Sequence, residues 1–130
     1  MKPVVLVLML LISGCKASEP PPCLSGLCLP PGSRIIDQQQ PADFDLYRVE
    51  WKGAQFGLYL GDFPDFDSTG AQSRLIPIDA QAKFLRKVGH GEVLLEANAE
   101  APRYLHLSGP CESASQCLVL DFAQSLERGD

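Results

Sequence analysis

The chain has 130 residues, of which 45% are apolar and 21% are charged, and these values predict a single globular domain. Its 11 Lys and Arg against 16 Asp and Glu give a formal net charge of -5. That balance argues against a nucleic-acid-binding protein, which needs a basic patch or stripe. Eleven glycines and eleven prolines favour a loop-rich β domain over a helical bundle.

The N-terminus has the three parts of a secretory signal peptide. Lys2 supplies a positive charge, residues 4–12 form an unbroken apolar run, and the small residues Ser13 and Gly14 follow. The apolar run is too short for a transmembrane helix, which needs about 20 residues. The sequence therefore predicts export from the cytoplasm.

The end of this segment, residues 11–15 with the sequence LISGC, resembles the lipobox of bacterial lipoproteins. The resemblance implies that residues 1–14 are a signal peptide and that Cys15 becomes the first mature residue, attached to the membrane by acyl chains. Lys16 stands where enteric inner-membrane lipoproteins carry Asp, so the resemblance also implies the outer membrane, with the periplasmic face favoured over the cell surface. The alternative is an ordinary signal peptide with an incidental cysteine.

Residues 16–33 are predicted to form a proline-rich tether, since five of them are proline. Three consecutive prolines, Pro20 to Pro22, favour an extended polyproline II segment. The globular domain is then expected to span residues 34–130.

Four further cysteines are predicted to form two disulfides, because an exported chain meets an oxidising compartment. Three pairings are possible, and local pairing, Cys23 with Cys28 and Cys111 with Cys117, is favoured. Crossed pairing would staple the tether to the C-terminal region. A zinc site with four thiolates is a further alternative.

Residues 45–51 and 55–61 each alternate between apolar and polar side chains, which predicts two half-buried strands. The turn Lys52-Gly53 lies between them, so the pair is expected to form a β-hairpin. These are the clearest structural signals in the chain.

The remaining elements are less clearly marked. Pro77 makes residues 75–78 an edge strand or a loop, and residues 79–88 fit a helix or a strand. A helical turn is expected over 123–128, and three further strands are expected over residues 92–97, 103–108 and 117–122. The sum is a small β-rich domain, antiparallel β or α+β, with about five strands, at most one or two short helices, and disulfide bonds.

The loop over residues 62–70 is the most suggestive stretch for function. From Asp65 it resembles the start of an EF-hand calcium loop, but Ile76 stands where the bidentate Glu belongs. A plain polar loop explains the same residues. Its two phenylalanines either plug the end of the core or form a recognition patch, which makes this a candidate partner-binding loop with four contact residues: Phe63, Asp65, Phe66 and Asp67.

No catalytic residue, metal ligand or cofactor is predicted. The two histidines, His90 and His106, lack metal-ligand spacing, and nucleophile-elbow and phosphate-loop motifs are absent from the sequence. We therefore expect a non-catalytic outer-membrane lipoprotein whose domain binds an envelope protein partner. The alternatives are a small enzyme or ligand-binding domain using dispersed carboxylates, His106 or Tyr59, and a calcium-dependent module.

Overall fold

The computed structural model describes residues 20–129. The predicted signal peptide, residues 1–14, and the predicted acylation site Cys15 lie outside the described residues. Over the described part of the chain, no helix is long and apolar enough to cross a membrane.

The described residues form ten β-strands and one short α-helix. In chain order these are β1 (Cys23–Leu24), β2 (Leu27–Cys28), β3 (Arg34–Gln39), β4 (Asp45–Trp51), β5 (Ala54–Gly61), β6 (Gln72–Ile76), β7 (Asp79–Lys87), β8 (His90–Glu96), β9 (Tyr104–Pro110), α1 (Leu118–Gln124) and β10 (Glu127–Arg128). Ten strands in two sheets, of three and seven strands, overturn the expectation of about five strands; the β-rich character with disulfides is confirmed.

The larger sheet has the strand order β3-β4-β5-β9-β8-β7-β6, and all its neighbours are antiparallel. Strand β9 joins two three-stranded meanders, β3–β5 and β6–β8. Because β5 lies inside the sheet and β6 at its edge, residues 62–71 must cross the sheet to connect them. We call this segment the crossing loop.

The predicted hairpin is present as β4 and β5. Lys52 and Gly53 have φ values of 51° and 74°, the left-handed conformation that a two-residue type I′ turn requires at both central positions. The turn sets the register Trp51 opposite Ala54, and that register continues to Asp45 opposite Leu60.

The core lies on one face of the larger sheet, where every second strand residue is apolar and buried. Helix α1 covers this face through contacts with β8 and β9. Phe122 of α1 lies 4.8 Å from Phe56 and 5.4 Å from Trp51, measured between ring centroids. The opposite side of the sheet, which we call the outer face, carries the polar positions of the same strands.

Two sequence expectations about elements are corrected by the structure. Residues 117–122 were expected as a strand and 123–128 as a helical turn, but α1 spans Leu118–Gln124 and is followed by strand β10. Val119, Phe122 and Ala123 are buried at helical spacing. A short apolar run fits both periods, so its tertiary packing decides between them.

The ambiguous residues 79–88 form a strand, β7, in which Ala82 and Phe84 are buried between exposed neighbours. Four strands that were not expected have weak sequence signals. Strands β1, β2 and β10 have two residues each, which is too short for periodicity, and edge strand β3 is almost entirely exposed.

Part of the segment predicted as a tether belongs to the fold. Strands β1 and β2 pair as a hairpin, and β10 pairs with β2 to complete the smaller sheet. Leu27 and Leu29 are buried in the core with 1% and 2% of their surface exposed, and Trp51 donates a hydrogen bond from Nε1 to the Pro31 carbonyl at 3.1 Å. Apolar residues between the prolines thus dock this segment on the domain.

Both disulfides have the favoured local pairing. Cys23 is bonded to Cys28 across β1 and β2, and Cys111 is bonded to Cys117 in the loop before α1. The crossed pairings and the zinc alternative are therefore excluded for these four residues.

Candidate functional site

Three titratable side chains lie close together near the centre of the outer face. Tyr59 on β5 is opposite His106 on β9, and Glu92 lies on the neighbouring strand β8. Strand alternation places them there, because the flanking residues Leu105 and Leu107 are turned into the core and buried.

Glu92 is the one charged side chain that is buried among residues 20–129, with 9% of its surface exposed. Both of its carboxylate oxygens have partners. Its Oε1 lies 2.7 Å from His106 Nε2, and its Oε2 lies 2.9 Å from Lys87 Nζ. Buried carboxylates require such compensation, because an unpaired charge away from water is costly.

These contacts determine the protonation of the cluster. Burial by itself would raise the pKa of Glu92, but hydrogen bonds from Lys87 and His106, together with their charges, leave it below its ordinary value. The hydrogen bond with Glu92, helped by its charge, raises the pKa of Lys87. The carboxylate is thus held ionised and fully engaged, as in a structural ion cluster.

The crossing loop packs on this cluster. The Phe66 ring meets the His106 imidazole edge to face, with 5.4 Å between ring centroids. Phe66 therefore covers the outer face, a location that differs from the predicted plug at the end of the core. The loop is tied down at its start, where the Phe63 N–H donates to Tyr59 Oη at 3.0 Å and Asp62 Oδ1 accepts from the Arg103 N–H at 2.9 Å.

Phe63, in contrast, has 86% of its surface exposed. Beside it an open cleft of about 540 Å³ reaches down to the sheet. Tyr59 and Phe44 form its wall, with ring centroids 5.2 Å apart. The cleft, which we call the aromatic cleft, is lined by Asp43, Phe44, Tyr59, Phe63, Asp65 and His106. Its volume falls within the usual range of ligand sites, about 300–1,000 Å³.

A second, more polar depression of about 330 Å³ lies on the other side of Tyr59 and His106. Gly57 lines it, and a Cβ at that position would lie 2.9 Å from Ser108 Oγ. Arg48 borders it on β4. Tyr59 and His106 thus line both concavities.

The four residues of the predicted partner-binding loop have different roles in the structure. Phe63 and Asp65 line the aromatic cleft, whereas Phe66 seals the loop onto His106. Asp67 accepts the Thr69 N–H at 2.9 Å, and that backbone hydrogen bond lowers its pKa. Asp67 therefore stabilises the turn through one of its carboxylate oxygens.

The calcium hypothesis gains no support from this arrangement. Within residues 20–129, no group of three or more His, Cys, Asp or Glu side chains is placed to hold a metal ion. Asp67 uses an oxygen in the turn, as expected for a polar loop of this composition.

The sequence interpretation missed Asp43 and Phe44 as cleft residues. It also missed Glu92 as the partner of His106 and Lys87 as the partner of Glu92. The first two precede β4 and meet Phe63 only because β4 and β5 pair in one particular register. A weak signal for the cluster was available, since Glu92 occupies a polar position on a strand whose neighbours Val93 and Leu95 are apolar.

A scan against protein-family models, a search of curated proteins and a search of solved structures each found no match to this chain.

Proposed function

We propose that this protein is a lipid-anchored lipoprotein of the bacterial outer membrane, facing the periplasm, and that its domain is a non-catalytic module that binds an envelope protein through the aromatic cleft. The anchor rests on the lipobox resemblance of residues 11–15. The binding role rests on one observation above all, the exposure of 86% of the Phe63 side chain beside the cleft.

An exposed phenylalanine that is held in place is well suited to anchor an interface. Aromatic side chains that enter a partner's surface contribute a large share of binding energy at interfaces. Phe63 follows a residue whose carboxylate is bonded to Arg103, and its own N–H is bonded to Tyr59. Because this backbone is already fixed, little conformational entropy would be lost on binding.

The hydrogen bonds around His106 support a fixed surface beside the cleft. Its Nε2 is bonded to Glu92, whose other carboxylate oxygen is bonded to Lys87, so the imidazole that lines the cleft is held in place.

Replacing Cys15 with serine should abolish lipid attachment. Each buried CH₂ of an acyl chain contributes about 0.8 kcal/mol, so two or three chains hold a protein stably on a membrane. In cells given labelled palmitate, the wild type should carry label and sediment with membranes, whereas Cys15→Ser should be unlabelled and released. Ser18→Ala is the matched control and should behave as wild type. Equal labelling of Cys15→Ser would refute the anchor.

A photo-reactive amino acid at position 63 should cross-link a discrete protein partner in intact cells, because the side chain there stands in the proposed interface. The control position is Leu75, which is 78% exposed on edge strand β6. A partner that binds the cleft should be captured from position 63 and not from position 75. No adduct at 63, or the same adducts at both positions, would count against the binding role.

A further inference from the structure

We infer that the aromatic cleft receives a basic side chain, lysine or arginine, from its partner. The inference rests on the proposed binding role of the cleft and specifies the chemistry of the segment that it binds. Three observations support it. The cleft has aromatic walls, two carboxylates at its rim accept no hydrogen bond from the described residues, and neither lysine nor arginine lines it.

The walls of the cleft suit a cation. Phe44, Tyr59 and Phe63 contribute three aromatic side chains to one opening. Aromatic faces attract ammonium and guanidinium groups through the ring quadrupole, and the long apolar stems of lysine and arginine pack on the same rings.

The carboxylates of the lining differ from their acidic neighbours. Asp62 and Asp67 accept backbone N–H groups and hold the crossing loop in shape. Asp43 and Asp65 border the cleft, and neither carboxylate accepts a hydrogen bond from the residues that the structure describes. They are therefore free to accept charge-assisted hydrogen bonds from an incoming cation.

No lysine or arginine of the described chain lines the cleft to neutralise these carboxylates. The lining does contain a histidine, His106, but its Nε2 is already bonded to Glu92. Lys87 acts electrostatically on Asp65, but its ammonium is bonded to Glu92. Residues 62–73 contain three aspartates and no lysine or arginine. The cleft thus offers two carboxylates without a hydrogen-bond partner among the described residues, next to apolar rings, and this is complementary to a basic side chain.

The experiment is a titration of the full-length chain in mild detergent, followed by NMR. The probe is acetyl-trilysine-amide, with triglutamate and triglutamine peptides as matched controls. The lysine peptide should produce saturable shifts of the Phe44, Tyr59 and Phe63 ring resonances that weaken as salt is added. The acidic and neutral peptides should leave these resonances in place.

Variants test which groups hold the cation. Asp43→Asn and Asp65→Asn should each weaken binding of the lysine peptide by about two- to fivefold, as expected for exposed charge pairs. Phe63→Ala should weaken it by about fivefold through the lost ring. Glu100→Gln and Leu75→Ala, both at exposed positions outside the cleft, should change nothing.

Equal shifts with the acidic and basic peptides, or full affinity in both aspartate variants, would overturn the inference. Its failure is distinguishable from failure of the binding role. A partner captured from position 63 by a protein that ignores trilysine would leave the binding role intact and refute the basic occupant. Binding of trilysine without any captured partner would support the cleft chemistry and refute the protein partner.

Discussion

Replacing Phe122 with alanine should lower the free energy of unfolding by about 3–5 kcal/mol, the usual cost of removing a buried phenylalanine side chain. Phe122 has 0% of its surface exposed and packs against Phe56 and Trp51, so its ring is the main aromatic contact between α1 and the sheet. The alanine variant leaves a cavity between two layers that cannot close without moving the helix. Urea unfolding followed by tryptophan fluorescence measures the change, because Trp51 borders that cavity.

The control for this variant is Gln124→Ala on the same helix, at an exposed position. Its effect should stay within about 0.5 kcal/mol, as for other surface substitutions. A loss below about 1 kcal/mol for Phe122→Ala would show that α1 is not packed on the sheet in the way described here.

Replacing Glu92 with glutamine should destabilise the protein at neutral pH by about 1–3 kcal/mol, since the substitution puts a neutral amide in place of the ionised carboxylate that bonds Lys87 and His106. The folded state holds the pKa of Glu92 below its ordinary value of 4.5. The stabilisation is therefore fully present above pH 4.5 and is lost as the pH falls through the lower folded pKa. This loss of stability at low pH, the acid limb of the curve of stability against pH, should be shallower in Glu92→Gln.

At alkaline pH, stability depends on pH in the opposite direction and is lost as the pH rises. The pKa of Lys87 is raised above 10.5 by Glu92, so its contribution is present below pH 10.5 and is lost as the pH rises through the higher folded pKa. Thermal unfolding as a function of pH measures both limbs. Glu100→Gln serves as the control and should keep the wild-type acid limb. An acid limb in Glu92→Gln identical to that of the wild type would contradict the described cluster.

The sequence predicted those elements in which local pattern and tertiary packing agree. Strands β4 and β5 alternate strictly, and the Lys52-Gly53 turn between them permits only a tight hairpin. Residues 118–124 show the limit of such patterns, because a short apolar run can be buried as a strand or as a helix. Only the position of β8 and β9 beneath it determines which one forms.

Of the candidate site, the sequence predicted the exposed loop residue Phe63 but not the residues that surround it in the cleft. Phe63 stood out because it is an aromatic residue in a loop rich in aspartate. Its neighbours in the cleft did not, since Phe44 and His106 come from opposite ends of the domain sequence. They meet Phe63 through strand register and through the path of the crossing loop, two long-range features that no local pattern encodes.

The docking of β1 and β2 against β10 has a mechanical consequence for a domain attached at Cys15. Only residues 16–22 lie between that position and β1, whereas a tether reaching to residue 33 would have had 18 residues. A fully extended chain spans at most about 3.6 Å per residue, which gives the shorter segment a reach of about 25 Å. That reach is the greatest distance from the leaflet at which the proposed anchor at Cys15 would allow β1 to begin.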